Sequence, residues 1–193
     1  MSQQITHEHV EELKRIKRVS DLLTSAHAVL RVKYARLALT LDIVLLVLSV
    51  WLTAMVFVEP RIGVQLSPPG IDKEISIGLI AIGTFFLTLI RMRVDWRGRA
   101  DIHSQVSTTY STIKLECTQL LSRLDSLIES DYRRFLDRYL SAGEYSVPIP
   151  DAKFNRLKRQ HLIKVEISKY LSCHPGASIT LLRLKLWWRD SFL

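Results

Sequence analysis

The strongest constraint on this chain is an apolar run from Leu37 to Val58, LALTLDIVLLVLSVWLTAMVFV, in which Asp42 is the only charged residue. A helix needs about 20 apolar residues to cross the hydrocarbon core of a bilayer, and this run has 22 residues. A soluble fold would have to cover the run with other apolar surface on every side. The run therefore predicts a membrane-spanning helix over residues 37–58.

A second apolar run, ISIGLIAIGTFFLTLI, covers residues 75–90 and contains no charged side chain. Its 16 residues are short for a span. Arg91 can extend the run by laying its methylenes along the hydrocarbon and placing its guanidinium among the headgroups. We therefore expect a second span over residues 75–92. The alternative, a soluble helical bundle that buries both runs, needs apolar surface that the remaining sequence does not supply.

The basic residues predict how the two spans are oriented. Residues 1–36 contain seven Lys or Arg and four Arg follow the second run, whereas the connector of residues 59–74 contains only Arg61 and Lys73. Lys and Arg near span ends favour the cytoplasm, so we expect both termini to be cytoplasmic and the connector to be an extracytoplasmic hairpin. Cytosolic loops over anionic lipid also account for the net charge of +8, so direct nucleic-acid binding is not expected.

Helical periodicity covers most of the rest of the chain. Residues 1–36 repeat apolar side chains every three or four positions, and no Pro or Gly occurs before Pro60. This pattern predicts a cytosolic N-terminal helix that continues into the first span. With residues 93–193 as a cytosolic C-terminal helical region, the expected fold class is an all-α membrane protein. It would be a two-transmembrane helical hairpin whose long N- and C-terminal cytosolic helices form a helical bundle.

The C-terminal region is predicted to contain several helices. One helix is expected from near Val94 to near Leu140, with a break allowed around Ser130. Asp151 is predicted to be the N-cap of a further helix. Its expected buried face contains Phe154, Leu157, His161, Val165 and Leu171. The basic, Trp-containing tail is expected either to pack on the bundle or to lie among lipid headgroups.

The sequence contains no pattern that is typical of catalysis. A Gly-rich phosphate loop, G-x-S-x-G, H-E-x-x-H and C-x-x-C are all absent from it. Cys117 and Cys173 both fall in the predicted cytosolic region, where a structural disulfide is not expected. We therefore expect a protein that is not an enzyme and that has no cofactor and no metal site.

On a helix that turns about 100° per residue, Asp42, Ser49 and Thr53 of the first span fall on one side, whereas Thr40 lies elsewhere. In the second span, Ala81, Thr84, Thr88 and Arg91 run down one side. Several copies of the chain could turn these two stripes toward a shared, water-filled axis. The candidate pore-lining residues are Asp42, Ser49, Thr53, Thr84, Thr88 and Arg91. The alternative is that these small and hydroxylated side chains merely let two helices approach closely. Asp42 is either a pore-mouth carboxylate or a residue at the membrane boundary, and the sequence leaves both interpretations open.

Two stretches after the second span carry a family resemblance: RVDWRGRADIHSQVSTTYSTIKLE and VPIPDAKFNRLKRQHLIKVEISKYLS. Together with the helical arm and the two joined spans, they resemble the SLATT family of bacterial two-span effector domains. Members of this family are found beside nucleotide second-messenger synthases, SLOG sensors and reverse transcriptases. The resemblance covers about residues 10–175. Its cytosolic motif positions in this chain are Asp95, Trp96, Arg99, His103, Phe154, Lys158 and His161.

The resemblance implies an effector of a bacterial anti-phage, abortive-infection system of the CBASS kind, located in the inner membrane. A nucleotide signal or a partner protein would activate it to assemble as a homo-oligomer and to open a membrane pore. The implied partners are the lipid bilayer, further copies of the chain, and a second-messenger synthase, sensor or reverse transcriptase encoded nearby. The alternative function is a non-conducting, two-span membrane anchor or scaffold for a cytosolic partner.

Overall fold

The computed structural model describes residues 7–57, 70, 72–124, 127–144 and 146–191. Within these residues all regular secondary structure is helical and no strand occurs, which confirms the all-α class. The helices are α1 (His7–Phe57), α2 (Lys73–Val94), α3 (Trp96–Ser122), α4 (Glu129–Glu144), α5 (Asp151–Cys173) and α6 (Ile179–Ser191). The predicted hairpin connector of residues 59–74 falls mainly on residues outside those described.

Helix α1 is a single helix of 51 residues that contains residues 7–36 of the predicted arm and residues 37–57 of the first apolar run. This confirms that the arm continues into the run without a break. The physical reason is local, since no Pro removes a backbone donor and no Gly loosens the backbone before Pro60.

The chain divides into two compact units. We call Met1–Leu30 with Ile102–Leu193 the arm unit, and Arg31–Asp101 the apolar unit. The arm unit has a core to which α1, α3 and α4 each contribute one apolar stripe, as amphipathic helices do. Its buried side chains are Leu13, Ile16, Val106, Tyr110, Ile113, Cys117, Tyr132 and Phe135.

The two apolar segments, residues 37–57 and 75–92, lie in the apolar unit and are mostly exposed. Both helices are long and apolar enough to cross a membrane. Only 17% of the most apolar window of the first helix is buried, and 6% of that of the second. The core helices of a soluble bundle would be mostly buried. Exposed apolar surface on this scale is typical of contact with lipid or with another protein.

The predicted helix from near Val94 to near Leu140 is divided into two helices, α3 and α4. Helix α2 ends at Val94, Asp95 adopts a left-handed conformation with φ of 40°, and α3 begins at Trp96. A second interruption follows Ser122 and ends before Glu129, whereas the sequence allowed a break around Ser130. This interruption lets α4 pack its Tyr132 and Phe135 against the core that α1 and α3 share.

The structure also corrects the start of α5. Asp151 is its first helical residue, and Pro150 occupies the cap position that was predicted for Asp151. The carbonyl oxygen of Pro150 accepts hydrogen bonds from the backbone N–H groups of Lys153 and Phe154 at 2.8 and 2.9 Å. Pro has no N–H to leave unpaired at this place, and the Asp151 carboxylate lies in the first turn, where it complements the helix dipole.

The predicted buried face of α5 is partly confirmed. Leu157 is buried, but the predicted Phe154, His161, Val165 and Leu171 are only half-buried. The second buried side chain of this helix is Ile167. The tail forms α6, which packs on α5 through the buried Leu186 and a 2.8 Å ion pair between Arg189 and Glu166.

Candidate functional site

Asp42 is held by two arginines within the apolar unit. Its Oδ1 lies 3.0 Å from Nε of Arg91, and its Oδ2 accepts a 2.7 Å hydrogen bond from Nη2 of Arg97. The Asp42 side chain is 21% exposed, whereas those of Arg91 and Arg97 are 52% and 70% exposed. Each carboxylate oxygen therefore has its own cationic partner. We call these three side chains the Asp42 triad.

The triad explains how an apolar run can carry a carboxylate. An unpaired charge among apolar groups costs several kcal/mol, and a cationic partner with good geometry offsets much of that cost. Arg91 was one of the candidate residues, and the structure brings it together with Asp42. Arg97 was not among them, although it supplies the shorter of the two contacts.

The position of Arg97 depends on the junction between α2 and α3. The Oδ1 atom of Asp95 accepts a 3.0 Å hydrogen bond from the backbone N–H of Gly98, so Asp95 acts as the N-cap of α3. A Cβ atom on Gly98 would collide with the Asp95 carboxylate and would lie 2.9 Å from its Cγ. Asp95 and Gly98 thus fit each other closely in the first turn of α3. Arg97 is the second residue of that helix.

The hydroxyl groups of the two predicted stripes are all hydrogen-bonded within their own helices. Each donates to the carbonyl oxygen four residues earlier, at 2.8 Å in every case. This arrangement satisfies the donor in an apolar environment and leaves the oxygen lone pairs available to accept from water. The residues concerned are Ser49, Thr53, Thr84 and Thr88.

The hydroxyl stripe of the first apolar segment is separate from the buried face of that segment. Its buried side chains include Leu41, Leu45 and Met55, which share one side of α1. Ser49 and Thr53 are exposed. At about 100° per residue, the stripe lies beside the buried face rather than on it. Within one copy of the chain, these hydroxyl groups therefore do not occupy the packed side of the helix.

A pair of buried histidines joins α1 to α3 in the arm unit. The Nδ1 atoms of His27 and His103 are 2.9 Å apart, and the two ring centroids are 5.1 Å apart. Tyr110 stacks on His27 at a centroid distance of 6.3 Å. His103 is a family-motif position, and its partner His27 lies on the arm.

Burial makes both rings hard to protonate. It lowers the pKa of His27 to about 4, and the neighbouring His103 adds to this effect. Burial also lowers the pKa of His103, to which the positive charge of Lys153 contributes. Both imidazoles are therefore neutral near pH 7, and one Nδ1–H donates to the lone pair of the other nitrogen.

The arm carries other polar atoms on the same side as His27. Nε2 of His27, Oγ of Ser20 and Oγ1 of Thr24 are buried without a hydrogen-bond partner among the described residues. These residues follow one another at helical spacing along α1. Ser107 of α3 donates to the carbonyl oxygen of Thr24 at 3.1 Å. The contact between α1 and α3 is therefore polar here, whereas it is apolar around Leu13.

His161, another family-motif position, connects α5 to the arm. Its Nδ1 lies 2.9 Å from Oγ of Ser25, and its Nε2 lies 3.7 Å from Oδ2 of Asp21. The other oxygen of Asp21 accepts a 2.6 Å hydrogen bond from Lys114 of α3. Asp21 on the arm therefore contacts one side chain of α3, Lys114, and one of α5, His161.

The remaining motif positions differ in their exposure. Trp96 opens α3 and is half-buried, as is Phe154 on α5, while Arg99 and Lys158 are exposed. Among the described residues, no group of three or more His, Cys, Asp or Glu side chains is arranged to hold a metal ion.

An open groove of about 670 Å³ lies between α3 and α4. Its α3 wall carries hydroxyl side chains, and the groups of Thr108, Thr109 and Thr112 donate to carbonyl oxygens of their own helix. Glu116 and Arg138 form a 2.8 Å ion pair at its edge. The hydroxyl donors of these three threonines are therefore satisfied within α3.

Sequence reasoning missed the partners of three candidate residues. These partners are Arg97 for Asp42, His27 for His103, and Asp21 with Ser25 for His161. The sequence did contain one signal for His27: together with Ser20 and Thr24 it forms a polar row at helical spacing, which interrupts the apolar repeat of the arm. Nothing in the local pattern distinguishes Arg97 from the other arginines that follow the second run.

No protein-family model, no curated protein and no solved structure matches this chain. The candidate site therefore rests on its geometry. It combines an ion-paired carboxylate at one end of two exposed apolar helices with hydroxyl stripes along them.

Proposed function

We propose that this chain is a two-span membrane protein that assembles as a homo-oligomer and conducts ions. It acts as a pore-forming effector of bacterial anti-phage defence in the inner membrane. Both termini lie in the cytoplasm, and a nucleotide signal or a partner protein activates it. The observation that carries the proposal is the exposed hydroxyl stripe beside a separate buried face on the first apolar segment.

Lipid is the best partner for the exposed apolar surface. Large side chains along both segments are exposed, including Leu46, Val50, Phe85 and Phe86. All backbone donors and acceptors in the interior of a helix are paired, so such helices can enter hydrocarbon without leaving polar groups unsatisfied. The basic residues on the side of the arm and of α3 favour a cytoplasmic location for both termini.

Two helices of one chain cannot enclose a water-filled path. A ring of copies can, if each copy turns its hydroxyl stripe toward the axis. The stripe suits this role because its hydroxyl donors are already satisfied within the helix while its oxygen atoms remain able to accept hydrogen bonds from water. The defence setting and the class of activating signal are supported by the resemblance of residues 10–175 to the SLATT family.

A pair of matched variants tests the pore. Expression from a strong promoter in bacterial cells raises the concentration of the chain and favours assembly by mass action. We expect wild type to depolarise the cells, as read by a voltage-sensitive dye, and the double variant Ser49→Leu, Thr53→Leu to lose this effect. The control is Thr40→Leu, since Thr40 lies about 160° from Asp42 on the same helix, and it should depolarise as wild type does.

Membrane levels of all three proteins are compared by immunoblotting, so that failed insertion is separated from lost conduction. Depolarisation by the Ser49→Leu, Thr53→Leu variant at wild-type strength would exclude the stripe as the pore lining. Failure of wild type to depolarise cells, or to conduct in planar bilayers at a high protein-to-lipid ratio, would contradict the pore itself.

The topology is tested by thiol labelling. In a variant that lacks Cys117 and Cys173, a single cysteine at Ser67 should react in intact spheroplasts with a membrane-impermeant maleimide. A single cysteine at Lys158, on the exposed surface of α5, should react only after lysis. Labelling of the Lys158→Cys variant in intact spheroplasts would contradict a cytoplasmic C-terminal region.

A second candidate function is supported by helix α6. Its Leu181, Leu184 and Trp188 are exposed on one side, whereas Leu186 is buried against α5. This exposed apolar face favours a non-conducting scaffold that docks a cytosolic protein. Ion efflux from liposomes distinguishes the two functions, because a scaffold leaves the liposomes sealed at every protein-to-lipid ratio.

A further inference from the structure

The Asp42 triad bears on which ions the proposed pore would conduct. Within residues 37–57 and 75–92, Asp42 is the only acidic side chain. Selectivity in channels is commonly set by rings of charged side chains, acidic for cation pores and basic for anion pores. The state of this one carboxylate therefore decides whether the hydroxyl stripe ends in a negative or a positive group.

The structure shows that the carboxylate is neutralised. Both of its oxygens contact a guanidinium group, at 3.0 Å for Arg91 and 2.7 Å for Arg97. The carboxylate is the most enclosed member of the triad, and the two guanidinium groups are the more exposed ones. A triad of two cations and one anion has a net positive charge, and its exposed part is positive.

The charges around the triad are mainly positive as well. At this end of the apolar unit, within residues 31–42 and 91–101, the basic residues are Arg31, Lys33, Arg36, Arg91, Arg93, Arg97 and Arg99. The acidic ones are Asp42 with Asp95 and Asp101, which leaves seven positive against three negative charges. Lys33, Arg36, Arg93 and Arg99 are exposed and form no ion pair with any residue of the described part of the chain. The carboxylate of Asp95 is used to cap α3.

These observations assign a substrate class to the pore. We propose that the conducting form selects small inorganic anions over cations, because the Asp42 triad and its neighbouring arginines make one mouth of the pore positive. This inference rests on the proposed function, and each added copy of the chain strengthens it, since every copy brings the same excess of positive charge. A mouth of one sign raises the local concentration of the opposite ion and repels the like one.

The reversal potential of the full-length chain tests this inference. The purified protein is placed in planar bilayers of zwitterionic lipid, so that lipid charge does not create selectivity, across a KCl concentration gradient. We expect a reversal potential that lies between zero and the equilibrium potential of chloride. Replacement of K⁺ by a large organic cation should leave the current carried by chloride nearly unchanged.

Two variants should shift the selectivity in opposite directions. Asp42→Asn frees both guanidinium groups and should raise the chloride-to-potassium permeability ratio, whereas the double variant Arg93→Gln, Arg99→Gln should lower it severalfold. The control Lys158→Gln removes an exposed cation from the arm unit and should leave the ratio unchanged.

The outcomes separate this inference from the function on which it rests. A reversal potential on the potassium side, in a chain that conducts, overturns anion selectivity and leaves the pore intact. Selectivity that is the same in wild type and in both charge variants also overturns it, because these side chains would then lie away from the ion path. Absence of current in wild type at a high protein-to-lipid ratio, which favours assembly, contradicts the proposed function, and the selectivity falls with it.

Discussion

Protonation of His27 should destabilise the arm unit as the pH falls, and the structure gives the size of this effect. The imidazole has no exposed surface, and burial lowers its pKa from 6.5 to about 4. The unfolded chain therefore binds a proton between these two values while the folded chain does not. The free energy of unfolding should be constant well above pH 6.5 and should decrease as the pH falls from 6.5 towards 4.

The two pKa values set the magnitude. At 1.36 kcal/mol per pKa unit, the difference between 6.5 and about 4 limits the loss to roughly 3 kcal/mol, and about 2 kcal/mol is lost by pH 5. Groups near the His27–His103 pair also disfavour protonation of these rings. His103 has a lowered pKa of its own, and Lys153 adds positive charge beside it. Tyr110 stacks on His27 and brings no negative charge that could stabilise an imidazolium.

The assay is thermal or urea unfolding of the full-length chain in non-ionic detergent, followed by circular dichroism at several pH values. Wild type should lose about 2 kcal/mol between pH 7 and pH 5. The variant His27→Gln should start from a lower stability at pH 7 but should lose much less over the same interval. The exposed His7 provides the control, since His7→Gln should keep the wild-type pH dependence.

The reasoning is refuted if His27→Gln loses as much stability between pH 7 and pH 5 as wild type does. A second measurement does not need reversible unfolding. The ring proton resonances of His27 in the folded chain, followed by NMR, should titrate well below pH 6, and titration near pH 6.5 would contradict the burial argument.

Two further predictions concern the α2–α3 junction and the cysteines. Gly98→Ala should lower the free energy of unfolding by about 1 kcal/mol or more, because the added Cβ atom collides with the capping carboxylate of Asp95. The control Gly143→Ala, at an exposed helical position, should be neutral or stabilising. The two variants are compared by their thermal unfolding midpoints in detergent. A larger midpoint loss for Gly143→Ala than for Gly98→Ala would contradict this account of the junction. A thiol reagent should label Cys173 in the native chain but Cys117 only after denaturation, since burial raises the pKa of Cys117 to about 11 and leaves it no exposed surface. Two reactive thiols per chain in the native state would contradict this prediction.

The sequence was sufficient for the properties that depend on neighbouring residues. Apolar length and composition indicated two helices capable of crossing a membrane, and the absence of Pro and Gly before Pro60 predicted that α1 is continuous. Apolar side chains at every third or fourth position indicated that the arm is an amphipathic helix. The sequence analysis placed the N-cap of α5 one residue late, at Asp151 instead of Pro150, because Asp and Pro are both common at the start of a helix.

Only the tertiary structure decided which polar groups meet. Asp42 and Arg97 are separated by 55 positions, and His27 and His103 by 76, so neither pair leaves a mark on a helical pattern. Helical periodicity fixes the relative directions of side chains on one helix, but it does not fix the rotation of one helix against the next. At the start of α3, Asp95 in its left-handed conformation and the missing side chain of Gly98 fix the local backbone that carries Arg97. The sequence thus determined the helices of this protein, and the junctions between them determined its site.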